Sequence, residues 1–319
     1  MAGFRKVFLQ ALVLAAWSSV TIGAYAQQAL PEGNAGIAAR YPGDVGIRGA
    51  PGVVFADDFE GYSTTNQLTQ NWSSYYQGAN TSIVTGTGVN GSKTVEFTLP
   101  VTGSEVSNAL VKNLPMKQDT LFVRVYTKFA PGYHQTDGHN GIRIAGNYTG
   151  PGRRPNGLDF FLTLMENSIY YGEARPGYTN LYIYHPEQRD VWGDHWYSDG
   201  KVLPFDATPG NFGAGFVKRP NFIPLTDRWY SYELMVKLNT PGQRDGRVAL
   251  WIDGVVVADF QNVRFRDVDT LKIDQIQLEL HAKSNTSGAD KKWYDNVVVA
   301  TTYIGPIVSG PANNPQVCP

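Results

Sequence analysis

The sequence predicts an all-β protein in which two antiparallel sheets pack as a sandwich, and three observations carry that expectation. First, Arg247 to Phe260 reads as two extended runs about one tight turn: Val248, Leu250 and Ile252 alternate with Ala249 and Trp251, Asp253-Gly254 suits a two-residue hairpin, and Val255 to Val257 resume a β-branched run. Second, the same period of two recurs at 229–238, 271–281 and 293–303, each bounded by Gly, Asp, Asn or Pro. Third, 34 Gly and 19 Pro stand beside modest charge, and no segment keeps a helical period over several turns.

Taken in order, the chain opens with Arg5 and Lys6, an apolar run from Val7 to Trp17, and Ala24 and Ala26 at small positions of a cleavage site. Residues 1–26 are therefore expected to be a signal peptide, too short in its apolar part to span a membrane, which implies a secreted or periplasmic protein. Residues 27–52 lack periodicity and are rich in breakers, so an N-terminal arm or linker is expected. One domain is expected over 53–306 and a tail over 307–319. Within the domain, strands are expected at 53–59, 94–99, 121–129, 141–145, 158–165, 168–174 and 180–185, before the C-terminal runs at 229–238, 247–260, 271–281 and 293–303. Between them, 186–224 carries Trp192, His195, Trp196 and Tyr197 with no sustained period, and so reads as an aromatic loop bordering a site.

Composition removes several function classes. There are 27 basic and 28 acidic side chains, and removal of Arg5 and Lys6 leaves 25 against 28, so nothing draws the surface toward nucleic acid. Cys318 is the single cysteine, which excludes a disulfide scaffold and a thiolate metal site. No H-E-x-x-H, phosphate-cradling glycine loop or G-x-S-x-G elbow occurs.

The segments FADDFEG, RWYSYELMVKLNTPGQRDGRVALWIDGVVV and KIDQIQLELH…KKWYDNVVVATTYIGP resemble the concanavalin A-like jelly-roll group, and within it secreted polysaccharide lyases of the alginate, glucuronan and heparin lyase kind. The resemblance covers most of 53–306. It implies a concave sheet forming a groove for an acidic, uronate-containing glycan, and paired first and last strands. It also implies that a Tyr-x-Tyr pair, here Tyr182 and Tyr184, supplies phenols that take the C5 proton and protonate the leaving oxygen.

Read from the residues, Ile276, Leu278 and Leu280 share one face of a strand while Gln277, Glu279 and His281 share the other, which suits saccharide hydroxyls or, equally, a solvated surface. Tyr182 and Tyr184 likewise share a face opposite Ile183, either for chemistry or simply for packing and stacking. His139 and Asn140 fall in a turn before Arg143, whose planar fork suits a carboxylate. The expected catalytic set is therefore His139, Arg143, Tyr182 and Tyr184, with Trp192, His195, Trp196, Tyr197, Gln277, Glu279 and His281 binding substrate. Glu166, Glu173, Glu233 and Glu279 stand isolated, with no E-x-D-x-x-E pattern, which moves weight from hydrolysis to elimination. Asp58 and Asp295 could meet if the terminal strands pair, as ligands of a structural Ca²⁺ or as turn caps. The chemistry itself requires no cofactor. A non-catalytic sugar-binding protein of the same fold is the alternative function, and a surface or fibre protein a further one.

Overall fold

The computed structural model describes residues 29–135, 138–169, 173–204, 212–213 and 215–309. The expected signal peptide, and most of the expected C-terminal tail, lie outside the described residues. Met1–Leu30 forms one unit, of which only Ala29 and Leu30 are described, and Pro31–Pro319 forms the other.

Among the described residues, sixteen strands make two antiparallel sheets. The first contains β1 (Val53–Asp57), β3 (Thr81–Thr85), β4 (Lys93–Leu99), β6 (Thr120–Phe129), β12 (Tyr230–Lys237), β13 (Gly246–Ile252), β14 (Val255–Val263) and β16 (Asp290–Ala300), in the order β14-β13-β12-β6-β16-β4-β3 with β1 also on β16. The second runs β11-β10-β9-β8-β7-β15-β5-β2. Its members are β2 (Ser74–Tyr76), β5 (Val106–Gln118), β7 (Ile142–Gly146), β8 (Phe161–Ser168), β9 (Tyr178–Tyr184), β10 (Asp194–Tyr197), β11 (Val202–Leu203) and β15 (Ile273–Ala282).

Alternation builds the core between them. Val123 and Val125 on β6, Leu234 and Val236 on β12 and Val248 and Leu250 on β13 meet Ile142 and Ile144 on β7, Leu181 and Ile183 on β9, and Ile276, Leu278 and Leu280 on β15. Each such side chain, fully buried, contributes about 1.5–3 kcal/mol. The β13–β14 hairpin turns on Asp253 and Gly254, both left-handed at φ 50° and 79°. The first and last strands pair, Asp57 opposite Val297.

The structure corrects three expectations. The run expected at 168–174 is not a strand of its own where described: Ser168 is the last residue of β8, and Ile169, Glu173 and Ala174 lie outside any strand. β2, β3, β5, β10 and β11 arise where none was expected. The expected arm, from Pro31 on, is part of the sandwich unit. Its four 3₁₀ turns bury Ile37, Ala38, Ile47 and Ala50. The physical cause lies on the outer face of the first sheet. Arg124 on β6, completely buried, pairs with Asp44 and donates to the Gly305 and Asn296 carbonyls. Glu233 opposite it accepts the Ile304 and Gly305 amides, both at 2.8 Å. Charges so buried need partners, and the arm with the segment after β16 supplies them.

Candidate functional site

The outer face of the second sheet carries the polar residues that alternation turns away from the core. Across β15, β7, β8, β9 and β10, the register aligns Gln277 with Arg143, Arg143 with Leu164, Leu164 with Tyr182, and Tyr182 with His195. Two residues along β15 and β8 sit Glu279 and Glu166, and His281 follows at the end of β15.

His139 enters this face from the loop before β7. Two glycines make room: a Cβ on Gly138, at φ +100°, would lie 2.1 Å from the His281 carbonyl oxygen, and one on Gly141 would lie 1.8 Å from that of Met165. The segment can thus run between β15 and β8, where the His281 amide donates to the His139 carbonyl at 2.6 Å and the Glu279 amide to that of Gly141 at 3.0 Å. From inside the core Lys292 donates to the Asn140 carbonyl, while burial pushes its own pKa well down.

The centre of the face is a series of rings. His281, His139, Tyr182 and His195 follow one another with centroids 5.4, 4.8 and 4.6 Å apart. Beneath them lies Glu166, 1 % exposed. His139 Nδ1 is 2.6 Å from Glu166 Oε2, and His195 Nδ1 is 3.0 Å from Oε1. Burial works against protonation of His139, but the charge and hydrogen bond of Glu166 outweigh it and raise the imidazole pKa. Conversely, burial would raise the Glu166 pKa, and the two histidines pull it well below the carboxylate range. With Nδ1 committed to Glu166, His139 keeps Nε2 for the groove, and its side chain is 33 % exposed.

Tyr182 is 7 % exposed. Its hydroxyl lies 3.2 Å from that of Tyr184 and accepts the Gly193 amide at 3.1 Å. Burial first, and the Tyr184 hydroxyl second, push its pKa well above that of a free phenol, so it stands protonated. Tyr184 is placed otherwise: only 1 % exposed, it packs under Tyr148 and Phe160. Those two come from the loop joining β7 to β8. Arg143 contacts the Gln277 carboxamide, lies 3.6 Å from Glu279 Oε2, and sets its guanidinium 5.0 Å from the Tyr148 ring centroid.

The structure thus brings His139, Arg143, Tyr182, His195, Gln277, Glu279 and His281 to one face, and places the other residues of the expected set elsewhere. Trp196 is no sugar platform, because alternation on β10 turns it into the core against Phe212 and Phe260. Tyr197 is fully buried beside Tyr178. Trp192 is 53 % exposed, and its carbonyl accepts from the Gln188 carboxamide. Tyr184 lies behind Tyr148 and Phe160 rather than on the open face. Asp58 caps the Glu60 amide, and Asp295 accepts from Val89, Ser92 and Asn296. Among the described residues no group of three or more His, Cys, Asp or Glu is arranged to hold a metal. The carboxylate buried near the first strand's end is Asp57, which Tyr62 and Trp72 contact. Sequence reasoning missed the role of Glu166, because its two histidine partners lie far off along the chain and neither spacing is a motif.

Residues 175–303, which hold Tyr182, Tyr184, His195 and strands β9 to β16, match the family model described as polysaccharide lyase 14. A search of curated protein sequences finds no match. Solved structures share the fold at low identity. The alginate lyase Aly36B is 15 % identical with a TM-score of 0.57, covering 79 % of this chain and 98 % of its own. The endo-β-1,4-glucuronan lyase of the fungus Trichoderma reesei is 18 % identical with a TM-score of 0.51, covering 78 % and 96 %. The marine PL-14 alginate lyase of Aplysia kurodai is 12 % identical with a TM-score of 0.53, covering 78 % and 99 %. By fold and by the matched segment, the chain is similar to the jelly-roll polysaccharide lyases.

Proposed function

We propose that this protein is a secreted polysaccharide lyase that cleaves an acidic, uronate-containing glycan by β-elimination. The observation that carries the reading is the convergence of a reachable imidazole, a protonated phenol and a guanidinium on one polar sheet face. His139 Nε2 takes the C5 proton, its basicity raised by Glu166. The C5–H electron pair forms the C4–C5 double bond as the C4–O bond breaks. Tyr182 gives its proton to the leaving oxygen, and the Gly193 amide stabilises the phenolate that results. Arg143, whose guanidinium the Gln277 carboxamide oxygen holds, neutralises charge on the uronate carboxylate. Tyr184 acts only through the hydroxyl of Tyr182, which it holds in place.

The test is incubation with alginate, glucuronan, heparin-like and pectic chains, following the absorbance of new unsaturated uronic ends. A rise is expected on at least one glycan, reduced about a hundredfold or more in His139→Ala and in Tyr182→Phe. No rise on any of them overturns the reading, and binding without a rise turns it into the sugar-binding alternative.

A further inference from the structure

Beside Arg143 the polar face continues into a second hollow. It has a volume of about 340 Å³ and is lined by Tyr76, Gln77, Ser107, Arg143 and Gln277. Its shape follows from sequence. β2 is an edge strand whose Tyr75 turns inward onto the core and bonds Asn66, so that Tyr76 turns outward, 54 % exposed. Tyr76 pairs with Ala109 on β5, and Ala109 pairs with Glu279 on β15, so all three share the polar face. Between the tyrosine rim and the Arg143–Gln277 wall, β5 presents Ser107 and Ala109, with Val111 next along the same face opposite Gln277. The small side chains at 107 and 109 leave a trough beside Tyr76 where larger ones would fill it. Gln77 is drawn over its end by accepting the Ser107 amide at 3.0 Å.

We propose that this trough is a subsite for the hexuronate next to the one that undergoes elimination, an inference that rests on the lyase reading above. An exposed aromatic ring at the rim offers a face for the apolar side of a pyranose. The carboxamides of Gln77 and Gln277 and the Ser107 hydroxyl match ring hydroxyls, and the Arg143 wall favours a carboxylate over a neutral group. The trough opens directly from Arg143, so a sugar lying in it is joined to one lying over His139 and Tyr182. It follows that the protein binds an extended chain across its strands and favours longer oligosaccharides over shorter ones.

The experiment compares Tyr76→Ala, and separately Ser107→Phe, which obstructs the floor, with the unsubstituted protein on alginate and glucuronan oligosaccharides from trimer to hexamer. Both variants are expected to raise KM for the hexamer about three- to tenfold and to shrink the preference for hexamer over trimer. A length preference that stays as in the unsubstituted protein in both variants overturns the subsite while leaving the lyase reading intact. If the unsubstituted protein eliminates none of these oligosaccharides and none of the heparin-like and pectic chains, the lyase reading fails, and the subsite is judged by calorimetric binding of the same hexamers. There, a threefold or greater loss of affinity in both variants supports it, and equal affinity, or no binding by any of the proteins, overturns it.

Discussion

A carboxylate buried beneath a polar sheet face needs compensation, and Glu166 takes it from two imidazoles at once. That arrangement sets the pH behaviour of the proposed base. His139 must be neutral to accept a proton, and Glu166 raises its pKa above the ordinary 6.5, so activity is expected to rise with pH through a value above 6.5. In Glu166→Gln the charge is gone while shape and one hydrogen bond remain. The acid limb of the kcat/KM profile is then expected to move to lower pH, and kcat at its optimum to fall about 10- to 100-fold as His139 loses basicity and orientation. A pH–rate profile measured on both proteins checks this. An acid limb that stays in place would show that Glu166 only packs.

At the scale of elements, legibility in the sequence followed the length and regularity of each strand. The β13–β14 hairpin, β15 and β16 were readable because each keeps period two over many residues, with turn formers at the ends. β5 was not, although it is the longest strand, because Asn108, Lys112, Asn113 and Pro115 break its apolar alternation. β10 has four residues, too few to establish a period, so Trp196 looked like a loop aromatic when it is a core residue. Parity correctly set Tyr182 and Tyr184 opposite Ile183, but it says nothing of what covers a face. Tyr148 and Phe160, from a loop without period, bury Tyr184. The segment after Pro31 was unreadable for a related reason: its 3₁₀ turns are too short for periodicity, and their purpose is visible only once Arg124 is seen to be buried. Asp44→Ala should therefore destabilise the fold by about 3 kcal/mol, since the Arg124 guanidinium would stay buried without its carboxylate. The midpoint of denaturant unfolding measures the loss, and a midpoint within error of the parent would mean that the arm's docking does not depend on this pair.

For the whole molecule, stability and activity are expected to slope in opposite directions with pH. Burial, partly offset by backbone amides, raises Glu233 from an ordinary 4.5 to about 7. Burial likewise raises Asp295 from 3.8 to about 7, against the Val89 and Ser92 hydrogen bonds. Between the unfolded and folded values the folded chain holds more protons than the unfolded one, so stability falls as pH rises through that window. His139 works in the same sense: its folded pKa is raised, so the stabilisation from its pairing with Glu166 is complete below 6.5 and is lost as pH rises through the folded value. Carboxyls held low in the fold, such as Glu166 and Asp119, oppose this only below the unfolded carboxylate values, where they lose their stabilisation. The melting temperature is therefore expected to decline from pH 5 to pH 8 while the initial elimination rate climbs. Glu233→Gln, neutral at every pH, should flatten that decline without moving the acid limb of the rate. Thermal melts across this range decide it: a melting temperature that increases from pH 5 to pH 8, or a decline as steep in Glu233→Gln as in the parent, would mean that these buried acids do not set the balance.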